Sequence, residues 1–387
     1  MAPLSFDATM SSLKDSFKSS GDIPRTLPNP ALKVTADHNI RLEESPVLTP
    51  EKGEVLIHVK ATGICGSDVH FWKTGQIGEL KVLGDCILGH ESAGVVIAVG
   101  NGVTNVAVGD RVAIEPGVPC GKCHYCKSGD YNLCHDVAFA GVYPYDGFLQ
   151  RFMVHNAEYV FKLPDNMTFS QGALVEPLSV VMHAVERAPL QFGRGVLIFG
   201  AGPIGLISLE VARASGATPI VIADVAPQRL EFAKEFVARC KTYLVDIRKT
   251  PEENAKQIRK LFGESEYDAP AKILECTGVE SSVITACFAV QRAGQVMVVG
   301  VGRPVMNNLP FMHISLAEID LTFINRYHDT WPAGIRALSE GVINLDSLVT
   351  HVFPLEQAVE ALTFSSDVRN GSIKVHIVDD EVVQEEM

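Results

Sequence analysis

The chain has 387 residues, of which 47% are hydrophobic and 20% charged, and its formal net charge at pH 7 is -13. This length suggests two domains, each with its own core, and the negative charge disfavours nucleic acid as a partner because the chain would repel the phosphates. The longest uncharged run, residues 195–209, contains four glycines and a proline. It fits a turn between a strand and a helix better than a membrane span of about 20 residues.

The N-terminal segment, residues 1–30, is rich in Ser, Pro and charged residues and has no sustained hydrophobic period. It lacks the apolar core of a signal peptide, so we expect a cytosolic protein. We interpret the segment as a mobile or loosely docked tail.

Short apolar runs separated by Gly and Pro follow the tail, as in residues 54–60, 93–99 and 110–114. Such runs are typical of β-strands. They predict a β-rich domain with long loops between residue 31 and about residue 184.

The pattern changes near residue 185, where apolar runs begin to alternate with stretches of helical period such as 228–238. The five runs are residues 196–199, 219–223, 241–245, 272–274 and 295–299. Alternating strands and helices indicate a doubly wound parallel sheet, which we assign to residues 185–319. The pattern stops near 320, and a last strand at 372–378 is expected to return to the first domain, which would then comprise 31–184 and 320–387.

A glycine-rich turn follows the first strand of the second domain and opens a helix. Its residues are Gly200, Ala201, Gly202, Pro203, Ile204 and Gly205. In a dinucleotide site the first glycine permits the turn, the second lets the backbone approach a pyrophosphate, and the third lets the helix pack on the strand. A purely structural turn is the alternative interpretation.

An acidic residue supports the dinucleotide interpretation, because Asp224 ends the next strand, where a carboxylate can bind ribose hydroxyls. A carboxylate there repels a ribose phosphate, which favours NAD over NADP. Arg229 is either part of the adenosine pocket or a solvated helix residue. We also assign Val299, at the end of the fifth strand, to the cofactor site.

Four cysteines lie within fifteen residues, at Cys120, Cys123, Cys126 and Cys134. Four thiolates satisfy tetrahedral Zn²⁺ and leave no position for a substrate, so we predict a structural zinc site. An iron–sulfur cluster and redox cysteines are the alternatives. His124 and His135 are nearby but not needed as ligands, and we interpret them as exposed histidines.

Three further segments, 63–72, 89–94 and 175–180, include a thiolate, an imidazole and two carboxylates that could bind a metal. Each segment is weak evidence alone. Together the groups suit a zinc site with an open coordination position.

In these motifs the chain resembles the medium-chain zinc alcohol dehydrogenases, and within that family the polyol dehydrogenases. The resemblance spans residues 33–378, and its motifs are 63–70, 89–91, 176–180, 200–205, 275–278 and 326–332. It implies a GroES-like catalytic domain, a Rossmann NAD domain and two Zn²⁺ ions per chain, one catalytic and one structural. It also implies a homotetramer or homodimer that acts on a small polyol.

The resemblance further implies roles for individual residues. Cys65, His90 and Glu91 would bind the catalytic zinc, and Glu176 would bind it directly or hold a zinc-bound water. Asp68 would orient His90. The proton relay would use Ser67 and His70, with a surface histidine as the alternative interpretation of His70. Arg326 and Tyr327 would reach the cofactor and the hydroxyls of the polyol.

The chemistry expected of such a site is oxidation of a sugar alcohol to a ketose by zinc-assisted hydride transfer to NAD, with a relay for the proton. We place sorbitol (L-iditol) 2-dehydrogenase first, with L-arabinitol 4-dehydrogenase, xylitol dehydrogenase or galactitol dehydrogenase as alternatives. A non-catalytic NAD-binding protein is a further alternative.

The substrate region departs from the pattern of sorbitol enzymes. Phe71, Leu80, Asn325 and His328-Asp329 replace the residues usual there. The four-cysteine cluster is absent from animal sorbitol dehydrogenases and present in many microbial relatives. Because hydrogen-bonding groups in a pocket control selectivity, these departures bear on which polyol is used.

Overall fold

A computed structural model describes residues 28–380, which form two compact units. The first unit contains the described residues up to Glu176 and those from Val349 onward, and the second is Pro177–Leu348. Most of the predicted tail, residues 1–27, lies outside the described residues. Asn29 falls within the predicted tail, and its side chain is buried, so the tail assignment does not hold at this residue.

The strands in chain order are β1 (Pro30–Val34), β2 (Ile40–Glu44), β3 (Glu54–Gly63), β4 (Gln76–Ile77), β5 (Leu80–Lys81), β6 (Cys86–Ile87), β7 (Glu91–Val99), β8 (Arg111–Ile114), β9 (Gly117–Val118), β10 (Ala138–Phe139), β11 (Phe152–Asn156), β12 (Val160–Lys162), β13 (Val196–Phe199), β14 (Ile220–Asp224), β15 (Lys241–Leu244), β16 (Lys272–Glu275), β17 (Gln295–Val298), β18 (Asp320–Phe323), β19 (Val349–Pro354) and β20 (Lys374–Val378).

The α-helices are α1 (Gly66–Thr74), α2 (His124–Ser128), α3 (Phe169–Ala173), α4 (Val175–Arg187), α5 (Pro203–Ala214), α6 (Pro227–Phe236), α7 (Pro251–Arg259), α8 (Glu280–Ala289), α9 (Phe311–Leu316), α10 (Trp331–Ser339) and α11 (Ala358–Ser366). Short 3₁₀ helices are Tyr131–Leu133, Ala157–Tyr159, Glu266–Asp268, Asp346–Leu348, Leu355–Gln357 and Val368–Asn370. Within residues 28–380, no helix combines the length and apolarity needed to cross a bilayer.

The main sheet of the first unit has the order β12-β8-β7-β3-β20-β19, and β11 also pairs with β3. Strand β3 is buried along nearly its whole length, which explains why most of its residues are apolar. Its last residue, Gly63, pairs with Glu91 of β7 on one side and with His376 of β20 on the other. The end of β3 is therefore the point at which three segments distant in sequence meet, and β20 returns to the first unit as predicted.

The second unit contains a six-stranded parallel sheet of order β15-β14-β13-β16-β17-β18. Its core joins strand residues such as Leu197, Val221 and Ile273 to the buried faces of α7 and α8. The strand order reverses between β13 and β16, where doubly wound folds bind ligands beyond the carboxyl ends of the strands. A β-rich domain and a doubly wound parallel domain are thus both present, as the sequence predicts.

The structure draws the boundary between the domains differently from our assignment. Residues 320–348, which we had given to the first domain, lie in the second unit, and so do residues 177–184 of α4. The reason is β18, which extends the parallel sheet beside β17. Because β18 lies at the sheet edge and is only partly buried, its sequence, DLTF, lacks the apolar run of the inner strands.

Candidate functional site

Three predicted metal ligands meet at the end of β3 in the first unit. Cys65 is the N-cap residue of α1, two residues beyond β3, while Glu91 is the first residue of β7 and His90 immediately precedes it. The pairing of Gly63 with Glu91 brings the two segments side by side. The ligand atoms of Cys65, His90 and Glu91 lie within 4.8 Å of one another.

This set of donors fits a zinc ion. Thiolate, imidazole and carboxylate are the ligands that catalytic zinc sites use, and three protein ligands leave a coordination position open. Glycine at position 63 makes room for the carboxylate, since a Cβ there would lie 2.2 Å from Oε2 of Glu91. Although burial lowers the pKa of His90, the charges of Asp68 and Cys65 raise it well above its ordinary value. The negative charges around the ring would also favour a bound metal cation.

Asp68 is fully buried beside these ligands. Its Oδ2 accepts a hydrogen bond from the backbone N–H of Cys65 at 2.9 Å, and its Oδ1 accepts one from Gly89 at 3.2 Å. Oδ1 also lies 3.6 Å from Nδ1 of His90, which is longer than a hydrogen bond. Asp68 thus fixes the backbone on both sides of the site and faces the His90 ring.

Sequence reasoning missed Lys374, which is buried in β20. Its Nζ donates to both carboxylate oxygens of Glu91, at 2.8 and 2.7 Å, and to the carbonyl of Ile64 at 3.1 Å. The available signal was a lysine in a mostly apolar final strand. It could not identify the partner, because Glu91 is 283 residues away in the chain.

The other predicted site residues of this unit lie outside the cluster of Cys65, His90 and Glu91. Glu176, in the first turn of α4, is buried and raises the pKa of Lys374 by its charge, but it is not one of the three clustered ligands. Ser67 Oγ lies 3.3 Å from Nε2 of His90. His70 is exposed on α1, one turn beyond Ser67.

The four clustered cysteines also come together. Sγ of Cys126 lies 3.4 Å from Sγ of Cys123 and 3.9 Å from Sγ of Cys120, while the backbone N–H of Cys120 points to Sγ of Cys134 at 3.4 Å. Sulfur atoms around tetrahedral zinc are about 3.8 Å apart, so the lobe fits the ion. All four are free thiols, and hydrogen bonds from the backbone of Lys122 and Cys123 lower the pKa of Cys120 to about 7. His124 and His135 are exposed.

The second unit contains the glycine-rich turn between β13 and α5. Gly200 has a φ of 92°, which suits glycine, and a Cβ on Gly205 would lie 1.7 Å from the carbonyl oxygen of Gly200. Gly202 is the N-cap residue of α5, and Pro203 and Ile204 open its first turn. The helix therefore begins with free backbone N–H groups, the arrangement that binds a pyrophosphate.

Asp224 ends β14 and is 9% exposed. Its carboxylate accepts hydrogen bonds from the backbone N–H groups of Ala201 at 2.6 Å and Ala226 at 2.8 Å, which joins it to the glycine-rich turn. Arg229, on α6, directs Nη1 to within 3.7 Å of the point where a Cβ on Gly202 would lie. Both side chains thus border the turn.

The remaining predicted residues also lie in the second unit. Val299 follows β17, and its N–H donates to the carbonyl of Glu275 at 2.8 Å. Arg326 has a φ of 55°, which is uncommon for a residue other than glycine. Tyr327 is buried, with its ring centroid 4.8 Å from that of Trp331.

Comparison with known proteins agrees with this geometry. The family model described as "Alcohol dehydrogenase GroES-like domain" matches residues 51–165, and "Zinc-binding dehydrogenase" matches 203–340. The chain is 47% identical over 372 residues to L-arabinitol 4-dehydrogenase of Talaromyces emersonii, covering 93% of this chain and 95% of that protein. It is 43% identical over 350 residues to sorbitol dehydrogenase of Bos taurus, covering 90% and 96%.

Among solved structures, 2R,3R-butanediol dehydrogenase from Bacillus subtilis superposes with a TM-score of 0.81 at 30% identity, covering 91% of this chain and 100% of that one. These matches confirm the resemblance drawn from the motifs, the two-domain fold class, and Zn²⁺ and NAD as the cofactors. The chain belongs to the family of zinc-dependent medium-chain polyol dehydrogenases, oxidoreductases that act on a CH–OH group.

Proposed function

We propose that the protein is an NAD-dependent L-arabinitol 4-dehydrogenase that oxidises one secondary hydroxyl of a pentitol to a ketone. The observation that carries the chemistry is the clustering of the Cys65, His90 and Glu91 ligand atoms within 4.8 Å of one another. The support for the pentitol is similarity, since the identity to an L-arabinitol 4-dehydrogenase is 47% and that to a sorbitol dehydrogenase 43%.

We propose that Cys65, His90 and Glu91 hold the catalytic zinc, with Glu176 as a further ligand or a partner of bound water, and that the four-cysteine lobe holds the second zinc. When bound, Zn²⁺ supplies Lewis-acid activation of the substrate hydroxyl, and NAD supplies the hydride acceptor. Ser67 Oγ, 3.3 Å from Nε2 of His90, is placed to take up the hydroxyl proton. His70 is exposed and can pass that proton to water.

In the second unit the chain orients the dinucleotide. The N-terminus of α5 binds the pyrophosphate through the turn that contains Gly200, Gly202 and Gly205. Asp224 accepts hydrogen bonds from the ribose hydroxyls and repels a 2′-phosphate, which selects NAD. Arg229 borders the same turn, which supports a place in the adenosine pocket. Val299, Arg326 and Tyr327 remain proposed contacts of the cofactor and substrate.

The experiment that tests the substrate is a panel of L-arabinitol, xylitol, D-sorbitol and galactitol with NAD, in which kcat/KM is obtained from NADH absorbance. We expect the highest kcat/KM with L-arabinitol. A highest value with D-sorbitol would instead favour the sorbitol type, the first choice from the sequence alone. If no polyol yields NADH, the proposed function is wrong.

We also propose that the chain forms a homo-oligomer through the edge of the parallel sheet. Within the described residues β18 pairs only with β17, and Phe323 on this edge strand is 56% exposed. The nearby helix α9 exposes Phe311 and Leu316, by 74% and 71%. A second copy would cover this unpaired edge and its apolar side chains. Light scattering of the protein and of a Phe323→Lys variant tests this, because the variant should have a lower mass, and an unchanged mass contradicts the proposal.

The cytosolic location remains a prediction.

A further inference from the structure

Glu275 has an unusual position at the carboxyl end of β16, because its side chain is completely buried. The carboxylate accepts hydrogen bonds from the backbone N–H groups of Thr277 at 3.0 Å and Gly278 at 2.9 Å, and from the hydroxyl of Ser282 at 2.8 Å. The hydroxyl of Thr277 also donates to it. The carboxylate thus fixes the loop that follows β16.

The backbone of the same residue fixes the next loop. The carbonyl oxygen of Glu275 accepts hydrogen bonds from the N–H groups of Val299 at 2.8 Å and Gly300 at 3.0 Å. The two loops touch through their backbones, since a Cβ on Gly300 would lie 2.1 Å from the nitrogen of Gly278. Glu275 therefore connects the loops after β16 and β17.

These loops also border the glycine-rich turn. A Cβ on Gly200 would lie 2.9 Å from Cγ2 of Thr277, so the loop after β16 packs against the first glycine of the turn. The turn and Asp224 belong to β13 and β14, the half of the sheet that binds the adenosine end of a dinucleotide. The loops after β16 and β17 lie on the other side of the switch point, where the nicotinamide end is bound.

We propose that Glu275 is a positioning residue for the nicotinamide end of NAD, which acts by holding the loops after β16 and β17 in the shape that receives it. The inference rests on the dinucleotide site described above and not on the identity of the polyol. Glu275 itself is buried beneath the loops, and its effect on the cofactor passes through residues 276–278 and 299–300.

The physical reason is that a carboxylate can only accept hydrogen bonds, and four donors converge on this one. In Glu275→Gln an NH₂ group replaces one of the two oxygens. If it replaces Oε2, it faces the N–H of Gly278, and if it replaces Oε1, it faces the donors of Thr277 and Ser282. A buried donor without an acceptor is costly, so the loop is expected to move. The glycine-rich turn and Asp224 keep their own hydrogen bonds.

The test measures the binding of two ligands to the purified protein without turnover, NADH by its fluorescence and ADP-ribose by calorimetry. Both ligands carry the adenosine end, but only NADH carries nicotinamide. We expect Glu275→Gln to weaken NADH binding by about 10-fold or more, with the Kd of ADP-ribose changed by less than about twofold. Equal weakening of both ligands, or no change in either, overturns the proposal.

A matched control is Glu280→Gln. Glu280 accepts hydrogen bonds from the backbone N–H groups of Asn307 and Asn308, but unlike Glu275 it is only partly buried, so the same substitution should leave NADH binding within about twofold. If Glu275→Gln does not fold, Ser282→Ala serves instead, because it removes one donor and leaves the carboxylate. We then expect about threefold weaker NADH binding at constant ADP-ribose affinity, and equal changes in the two affinities again overturn the proposal.

Discussion

The ammonium group of Lys374 donates hydrogen bonds to both carboxylate oxygens of Glu91, and both side chains are buried. Burial alone would lower the pKa of Lys374, but the charges of Glu91, Cys65 and Glu176 raise it above its ordinary value. The lysine therefore brings positive charge to a site that also contains Glu91, Cys65 and Glu176. It offsets part of their negative charge and holds the Glu91 carboxylate in one orientation.

Replacement of Lys374 by Met is expected to weaken zinc binding at the catalytic site by about 10- to 100-fold, because groups that orient metal ligands typically contribute this much. Competition with a chelator measures the affinity. Lys374→Arg keeps the positive charge and should weaken zinc binding less than Lys374→Met does. The matched control is Lys272→Met, which removes a partly buried lysine bonded to Gln295 in the other unit and should leave zinc affinity unchanged. Unchanged affinity in Lys374→Met contradicts the positioning role.

Cys126→Ser is expected to remove the zinc of the cysteine lobe and retain the catalytic zinc. The remaining three thiolates bind the ion less tightly, and the folding free energy that the metal contributes is lost. Elemental analysis should find one zinc per chain instead of two, and the melting temperature should fall by several degrees. Cys240→Ser, which changes a cysteine outside both clusters, is the control and should keep both ions. Loss of both zincs in Cys126→Ser would show that the two sites are not independent.

The fold could be predicted largely from short local patterns. The strand at Val196–Phe199, the glycine-rich turn and Asp224 lie within thirty residues, so their relation is visible in the sequence. The exception was β18, whose place in the sheet depends on pairing with β17 and not on its own apolarity. Edge strands of this kind carry a weak sequence signal because one side has no partner.

The candidate site was less accessible to sequence reasoning. Chemical type pointed to three segments with zinc-binding groups, and the family resemblance assigned Cys65, His90 and Glu91 as the ligands. The pairing of Gly63 with Glu91 explains why they meet. Lys374 and Glu275 carry no such chemical signal. Each is recognised only when its partners are known, and for Lys374 the partner lies in a distant segment.

The double variant Asp224→Ser, Val225→Arg is expected to shift cofactor preference from NAD toward NADP. It removes a carboxylate that repels the 2′-phosphate and adds a guanidinium that binds it, at a position where Val225 is 61% exposed. We expect the ratio of kcat/KM for NAD to that for NADP to fall by roughly 100-fold, since a close like-charge contact costs several kcal/mol. Activity with both cofactors should decrease because Asp224 also binds Ala201. A constant ratio contradicts the proposed ribose contact.

The relay is tested by Ser67→Ala, which should lower kcat for polyol oxidation by about 100-fold, the lower end of the effect of a positioned acid or base. Zinc content and NADH affinity should not change, because the serine is not one of the clustered ligands. His70→Ala should have a smaller effect, since water reaches an exposed histidine and can replace it. If both residues serve one relay, the double variant is no slower than Ser67→Ala, because two groups acting in series are not additive. A double variant slowed by the product of the two single effects assigns His70 to a separate role.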